Sequence, residues 1–123
     1  MSRRYGTLDS PDYTSIISRA SYDRLVGALD EARARGAQVI SLLPGAPFDE
    51  ARHRIAPHIV LGAPSDTALM SSEIFGPILP LIGYRELGEV IARINAGPRP
   101  LALYPFSHRE DRVVRAVEGV EKA

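Results

Sequence analysis

Cysteine is absent from the 123 residues, tryptophan is absent too, and lysine occurs once, at Lys122. Without a thiol the sequence holds no disulfide framework, no thiolate metal site and no cysteine nucleophile. Charge of one sign is lacking as well: 15 Lys+Arg stand against 15 Asp+Glu, which removes the electrostatic footprint expected of a nucleic-acid or anionic-membrane binder. No apolar run approaches the ~20 residues that span a bilayer. Met1-Ser2-Arg3-Arg4-Tyr5 is followed by polar residues where a signal peptide carries an apolar core. The expectation is a cytoplasmic chain with neither nucleic acid nor membrane among its partners. The near-exclusive use of arginine as the cation, with 10 Gly and 10 Pro, points to a GC-rich bacterial genome.

What is present is a foldable composition. Hydrophobic residues make up 45% and charged residues 24%, and a chain of this length buries roughly two-thirds of its unfolded surface, enough for one core. Residues 1–12 carry no periodic pattern and contain Gly6, Asp9, Ser10 and Pro11, the signature of a lead-in loop. The remainder, 13–123, reads as a single domain.

Within it the hydrophobic period alternates between strand and helix. Ser21 is placed to cap a helix whose apolar stripe is Leu25, Val26, Leu29 and Ala32, and Gly36 stands where a helix ends. Val39–Leu43 reads as a buried strand, Pro44-Gly45-Ala46-Pro47 as a break, and Ile59–Leu61 as the next strand. Ser65-Asp66 opens a short helical turn through Ala68-Leu69-Met70. Ile78–Tyr84 is a third strand, with Pro80 confining it to an edge, a bulge or a strand start. Leu87, Val90, Ile91 and Ile94 define a helix stopped by Gly97-Pro98. Leu101–Tyr104 reads as a fourth strand, and Val113, Val114, Val117 and Val120 as the face of a last helix from about Glu110. This order predicts an α/β fold with a mainly parallel sheet and flanking helices, and one antiparallel pair across the 44–58 loop. The last helix has no strand after it to lead into, which leaves two readings open: a terminal helix that docks on the sheet, or one whose onward strand is missing from this segment.

Few residues outside one motif carry chemistry. His53 and His58 are five apart, which does not stack them on a helix face, and His108 has no acidic or histidine neighbour at metal spacing, so no metal site is assigned. Arg52-His53-Arg54 and Arg33-Ala34-Arg35 are interleaved with Asp49, Glu50, Asp30 and Glu31 and read as mixed solvated faces. The exception is Glu73-Ile74-Phe75-Gly76-Pro77, which sets a carboxylate two residues before an aromatic ring, immediately ahead of a Gly-Pro turn and an apolar run. By residue type alone, Glu73 is a helix-end charge and Phe75 a core ring. The same pair also suits a sugar beside a flat heterocycle, because a carboxylate accepts two donors from a vicinal diol and an apolar ring packs against an aromatic face.

The motif, in its frame Leu69 to Leu81, resembles the aldehyde dehydrogenase superfamily. The resemblance extends from Asp12-Tyr13 and Ile16-Ile17, through the helix at Ser21 and the block Ile55-Ala56-Pro57-His58-Ile59, to Pro100-Leu101-Ala102-Leu103-Tyr104. The first and last of these are most similar to the class 3 branch, which includes fatty, aromatic and coniferyl aldehyde dehydrogenases. The resemblance implies that Glu73 and Phe75 are cofactor-binding residues. Glu73 would hold the nicotinamide ribose and Phe75 would line the nicotinamide site, both facing a hollow near the C-terminal edge of the sheet. It leaves Ser21 and Arg24 open, as adenosine-ribose contacts or as a helix cap and a surface arginine.

It also implies that the chain corresponds to the later part of a catalytic domain. The general-base Glu, the nucleophilic Cys and the glycine-containing pyrophosphate fold of the family would lie upstream, and a further strand and an oligomerising hairpin downstream. The parent would oxidise an aldehyde to a carboxylic acid with NAD or NADP, the aldehyde and the choice of cofactor both being left open. This chain alone is expected to hold no catalytic residue, to bind the cofactor weakly and to self-associate. The competing reading is a non-catalytic α/β interaction or assembly module on the same scaffold. A receiver-type signalling domain fits poorly, because it needs a lysine late in the sheet and Lys122 is the only one.

Overall fold

The computed structural model describes residues 5–120. Residues 1–4 of the expected lead-in loop, and Lys122 with the last residues of the chain, lie outside them. The described residues up to Ile82 form one compact unit and those from Gly83 onward another.

The first unit begins with an irregular segment that is anchored rather than frayed. Leu8 is buried with Leu43 and Ala56, the Tyr13 hydroxyl donates to the Ile55 carbonyl at 2.6 Å, and Ile16 N–H donates to His53 O at 2.7 Å. Helix α1, Arg19–Ala34, follows. Its cap is Ser18, not Ser21: the Ser18 hydroxyl accepts from Ser21 N–H at 3.1 Å and donates to the Ser21 hydroxyl at 3.0 Å. The reason is that the buried stripe starts a turn earlier than the aliphatic residues suggest, with Tyr22 at its head. The predicted glycine stop holds. Gly36 adopts φ +88°, Gly36 N–H donates to Arg33 O and Ala37 N–H to Ala32 O, the paired bonds of a Schellman ending.

Strand β1, Gln38–Ser41, runs antiparallel to β4, His58–Leu61, which runs parallel to β5, Ile78–Leu81. The order is β1-β4-β5, so the α/β sheet is mixed. The α/β class is as expected; among the described residues the sheet has one antiparallel pair, that across the 44–58 loop, and one parallel pair in place of a parallel majority. Between β1 and β4 sits a hairpin that the sequence hides, β2 (Phe48–Asp49) and β3 (Arg54–Ile55). Pro80 lies on the edge strand β5, as its missing N–H requires. That strand ends at Leu81, short of the predicted Tyr84. Leu25, Leu29 and Ala32 of α1 close over Ile55, Val60 and Ile78, with Leu69 from α2, Ala68–Ser71, completing the core.

The second unit contains α3, Leu87–Ala96, and α4, Glu110–Gly119. The predicted stripe of α3 is half-buried and Gly97 caps it as expected, whereas α4 turns Val113, Ala116 and Val120 inward and leaves Val114 and Val117 of its predicted stripe exposed. Glu110 and Asp111 in the first turn of α4 complement its dipole. Leu101–Tyr104, predicted as a strand, is irregular. Its alternation is real, but it has no paired neighbour among the described residues, and a lone strand cannot satisfy its backbone. No helix among the described residues is long and apolar enough to cross a membrane.

Candidate functional site

Glu73, Ile74, Phe75 and Gly76 form the connection from α2 to β5. Ser72 ends α2 in an extended conformation, which throws the chain outward, and Ile74 turns back to pack on the core. Glu73 and Phe75 flank it on the exposed side. The Phe75 ring is 78% exposed, so it is not the core ring that its residue type suggests. Its backbone has φ +47°, in the left-handed region. For a residue with a Cβ that conformation costs roughly 1–2 kcal/mol and persists only where neighbouring contacts impose it.

Those contacts come from α1. The Arg24 guanidinium donates to the Ile74 carbonyl at 2.7 Å and to the Glu73 carbonyl at 3.3 Å. One residue further along α1, the fully buried Leu25 presses under Gly76: a Cβ at 76 would lie 2.5 Å from Leu25 Cδ1. Glycine at 76 is therefore a packing requirement. Beyond it, Ile78 N–H donates to Gly76 O at 2.8 Å, a tight three-residue turn around Pro77, and His58 N–H donates to Pro77 O at 2.8 Å. The turn is held on the helix side by Arg24 and Leu25 and on the sheet side by β4.

The Glu73 carboxylate makes no hydrogen bond or ion pair among the described residues. The turn feeds the first residue of β5, and β4 also begins there. The site thus lies at the starting edge of the parallel pair, not at the C-terminal edge expected from the sequence, because the motif precedes its strand instead of following one. A cleft of about 320 Å³ opens beside the turn, bounded by Gly76, Pro77, Tyr13, Ile16 and Pro57. Glu73 and Phe75 are not among its lining residues.

The other candidates separate from this site. Ser21 is engaged with Ser18. His58 is buried, stacked on Phe48 with ring centroids 5.6 Å apart, and its Nδ1 lies 2.6 Å from Ala56 O, which selects the tautomer that donates there. Burial pushes its pKa below the ordinary value; the Arg33 charge acts the same way and the Ala56 bond opposes both. Arg52 pairs with Asp49 and Asp9, and Arg54 donates to the carbonyls of Leu8 and Ser10. The arginines around the hairpin therefore serve local structure. Arg24, left open by the resemblance as an adenosine-ribose contact or a surface arginine, donates to the Glu73 and Ile74 carbonyls, a contact the sequence does not reveal.

The sequence pattern of the aldehyde dehydrogenase family matches residues 4–123. This chain belongs to that family. It is 42% identical over 121 residues to a probable coniferyl aldehyde dehydrogenase of Caulobacter vibrioides, covering 96% of this chain and 25% of that relative. It is 39% identical over 118 residues to a coniferyl aldehyde dehydrogenase of a Pseudomonas species, covering 91% and 24%. Among solved structures, a substrate-bound Staphylococcus aureus enzyme, AldH, superposes with a TM-score of 0.78 at 38% identity, over 92% of this chain and 23% of that one. The chain spans about a quarter of the length of the relatives it matches.

Proposed function

We propose that these residues supply the nicotinamide-ribose end of the cofactor site in an NAD(P)-dependent aldehyde dehydrogenase acting in the cytoplasm, with coniferyl or another aromatic aldehyde as substrate. NAD or NADP, when bound, supplies the hydride acceptor. The chain's own part is positional: the Glu73 carboxylate accepts hydrogen bonds from a ribose diol, and the Phe75 ring offers an apolar surface to the nicotinamide. The observation that carries this reading is the turn itself, a left-handed Phe75 with its ring turned out to solvent beside a carboxylate that has no partner among the described residues. A charge and a ring with no functional role do not require a strained backbone. The 42% identity to a probable coniferyl aldehyde dehydrogenase supports the substrate class.

The 123 residues contain no cysteine, so on their own they are inactive: mixed with NAD(P) and aromatic or aliphatic aldehydes they give no cofactor reduction above a buffer blank. In the full-length enzyme that carries this segment, Glu73→Gln raises the cofactor KM or slows hydride transfer by roughly tenfold, the worth of one charge-assisted hydrogen bond. Its melting temperature stays unchanged, since an exposed carboxylate supports little packing. Cofactor kinetics equal to those of the wild type would remove the assignment.

A further inference from the structure

We infer that Arg24 is a positioning residue of the cofactor site: its guanidinium clasps the main chain at 73 and 74 and holds the left-handed turn that presents Glu73 and Phe75. The inference deepens the proposed function and rests on it for its kinetic consequence. Its structural part stands on three observations in the first unit. The two bonds from Arg24, at 2.7 and 3.3 Å, join residues 49 and 50 positions apart and end on neighbouring carbonyls. A forked, planar cation bridges that spacing, which a single ammonium on a flexible stem does not hold with the same geometry. Neither carbonyl accepts a backbone hydrogen bond among the described residues. The residue they lead into carries the unfavourable φ of +47°.

The polar clasp works with an apolar one. Leu25 fixes the far end of the turn beneath Gly76, where even one added carbon would lie 2.5 Å from its Cδ1. With both ends of a three-residue span held, Phe75 has little freedom except to rotate its backbone into the left-handed region and its ring outward. Release of the Arg24 end frees Phe75 to relax to negative φ, which the handedness of L-residues favours, and relaxation moves the Phe75 ring relative to Glu73. Arg24 makes no other hydrogen bond or ion pair among the described residues. Its role is local, and its loss leaves the core of α1 in place.

The test uses the full-length enzyme carrying this segment, with Arg24→Met, Arg24→Lys and Glu73→Gln prepared side by side. Amide hydrogen exchange reads the turn, and steady-state kinetics at saturating aldehyde read the cofactor. Arg24→Met is expected to speed exchange of the Ile78 and His58 amides, which donate to Gly76 O and Pro77 O of the turn, about tenfold, the equivalent of one net charge-assisted bond. Exchange across the rest of α1 is expected to stay as it is, while the cofactor KM rises with kcat changed less. Arg24→Lys recovers part of both effects. Glu73→Gln alters the kinetics and leaves exchange at the turn untouched. Unchanged exchange at Ile78 and His58 in Arg24→Met overturns the clasp. Faster exchange with an unchanged cofactor KM confirms the clasp of the turn and overturns the cofactor reading, so the two failures are distinguishable.

Discussion

Phe75 in its backbone and His58 in its protonation depart from what their types prefer, and they do so for different reasons. Phe75 is displaced by tethers on either side, and its exposed ring contributes little to packing. His58 is displaced by burial, at 3% exposure, in a stack with Phe48. Its folded pKa is depressed, so the folded state resists protonation that the unfolded chain accepts near the ordinary value of 6.5. In that interval the unfolded state binds more protons, and stability falls as pH is lowered through about 6.5 and levels off below the folded pKa. Chemical denaturation between about pH 7.5 and 4.5 should show this loss for the wild type and a flatter profile for His58→Gln. Parallel profiles would show that His58 titrates alike in both states. Of the candidate site, Glu73 and Phe75 were singled out only by the resemblance of their motif to the family, since residue type alone reads them as a helix-end charge and a core ring. The Arg24 contact was not legible, because its partners are main-chain oxygens 49 and 50 residues away that leave no mark in residue type.

Elements with a long period or a specific stop signal were readable, and those defined by pairing were not. Helices α3 and α4 follow from stripes that need no partner to be recognised, and the ending of α1 follows from Gly36. The β2–β3 hairpin escaped because two strands of two residues each are too short to alternate. What makes them a hairpin is side-chain capping, with Asp49 accepting from Arg52 N–H at 3.0 Å, and His53 at φ +52°. Leu101–Tyr104 failed in the opposite sense, with alternation present and no neighbour to pair. The start of α1 gives the element-scale prediction. Ser18 holds the capping bond and Ser21 lies inside the first turn, so Ser18→Ala should destabilise the fold by about 1 kcal/mol. Ser21→Ala, which loses only a hydroxyl pair, should fall within about 0.5 kcal/mol of the wild type. Urea midpoints for the two variants check the order, and equal effects would return the cap to Ser21.

At the scale of the whole molecule, the surface is more apolar than the balanced charge suggests. Ile17, Leu101 and Phe106 are almost fully exposed, and Leu79 on the edge strand β5 is 57% exposed. Within the second unit, Tyr84, Leu87, Val90, Leu103 and Phe106 border an apolar groove of about 360 Å³, and α3 has no buried residue. The apolar stripe of α3, Leu87, Val90, Ile91 and Ile94, is only half-buried among the described residues of its own unit. Scattered exposed apolar residues need no explanation, but a groove and an unpaired strand edge on one chain do. The family match accounts for them: in relatives about four times as long, further segments are available to pack on such surfaces. The 123 residues by themselves are therefore expected to associate. Static light scattering should report a mean mass that rises with concentration, and a hydrophobic dye should bind and fluoresce. Leu79→Lys places a charge on the β5 edge and should lower the association while leaving the circular-dichroism spectrum unchanged, since that side chain contributes little to the core. A concentration-independent monomer that ignores the dye would overturn this expectation and favour a self-sufficient module, the reading that competes with a segment of a larger enzyme.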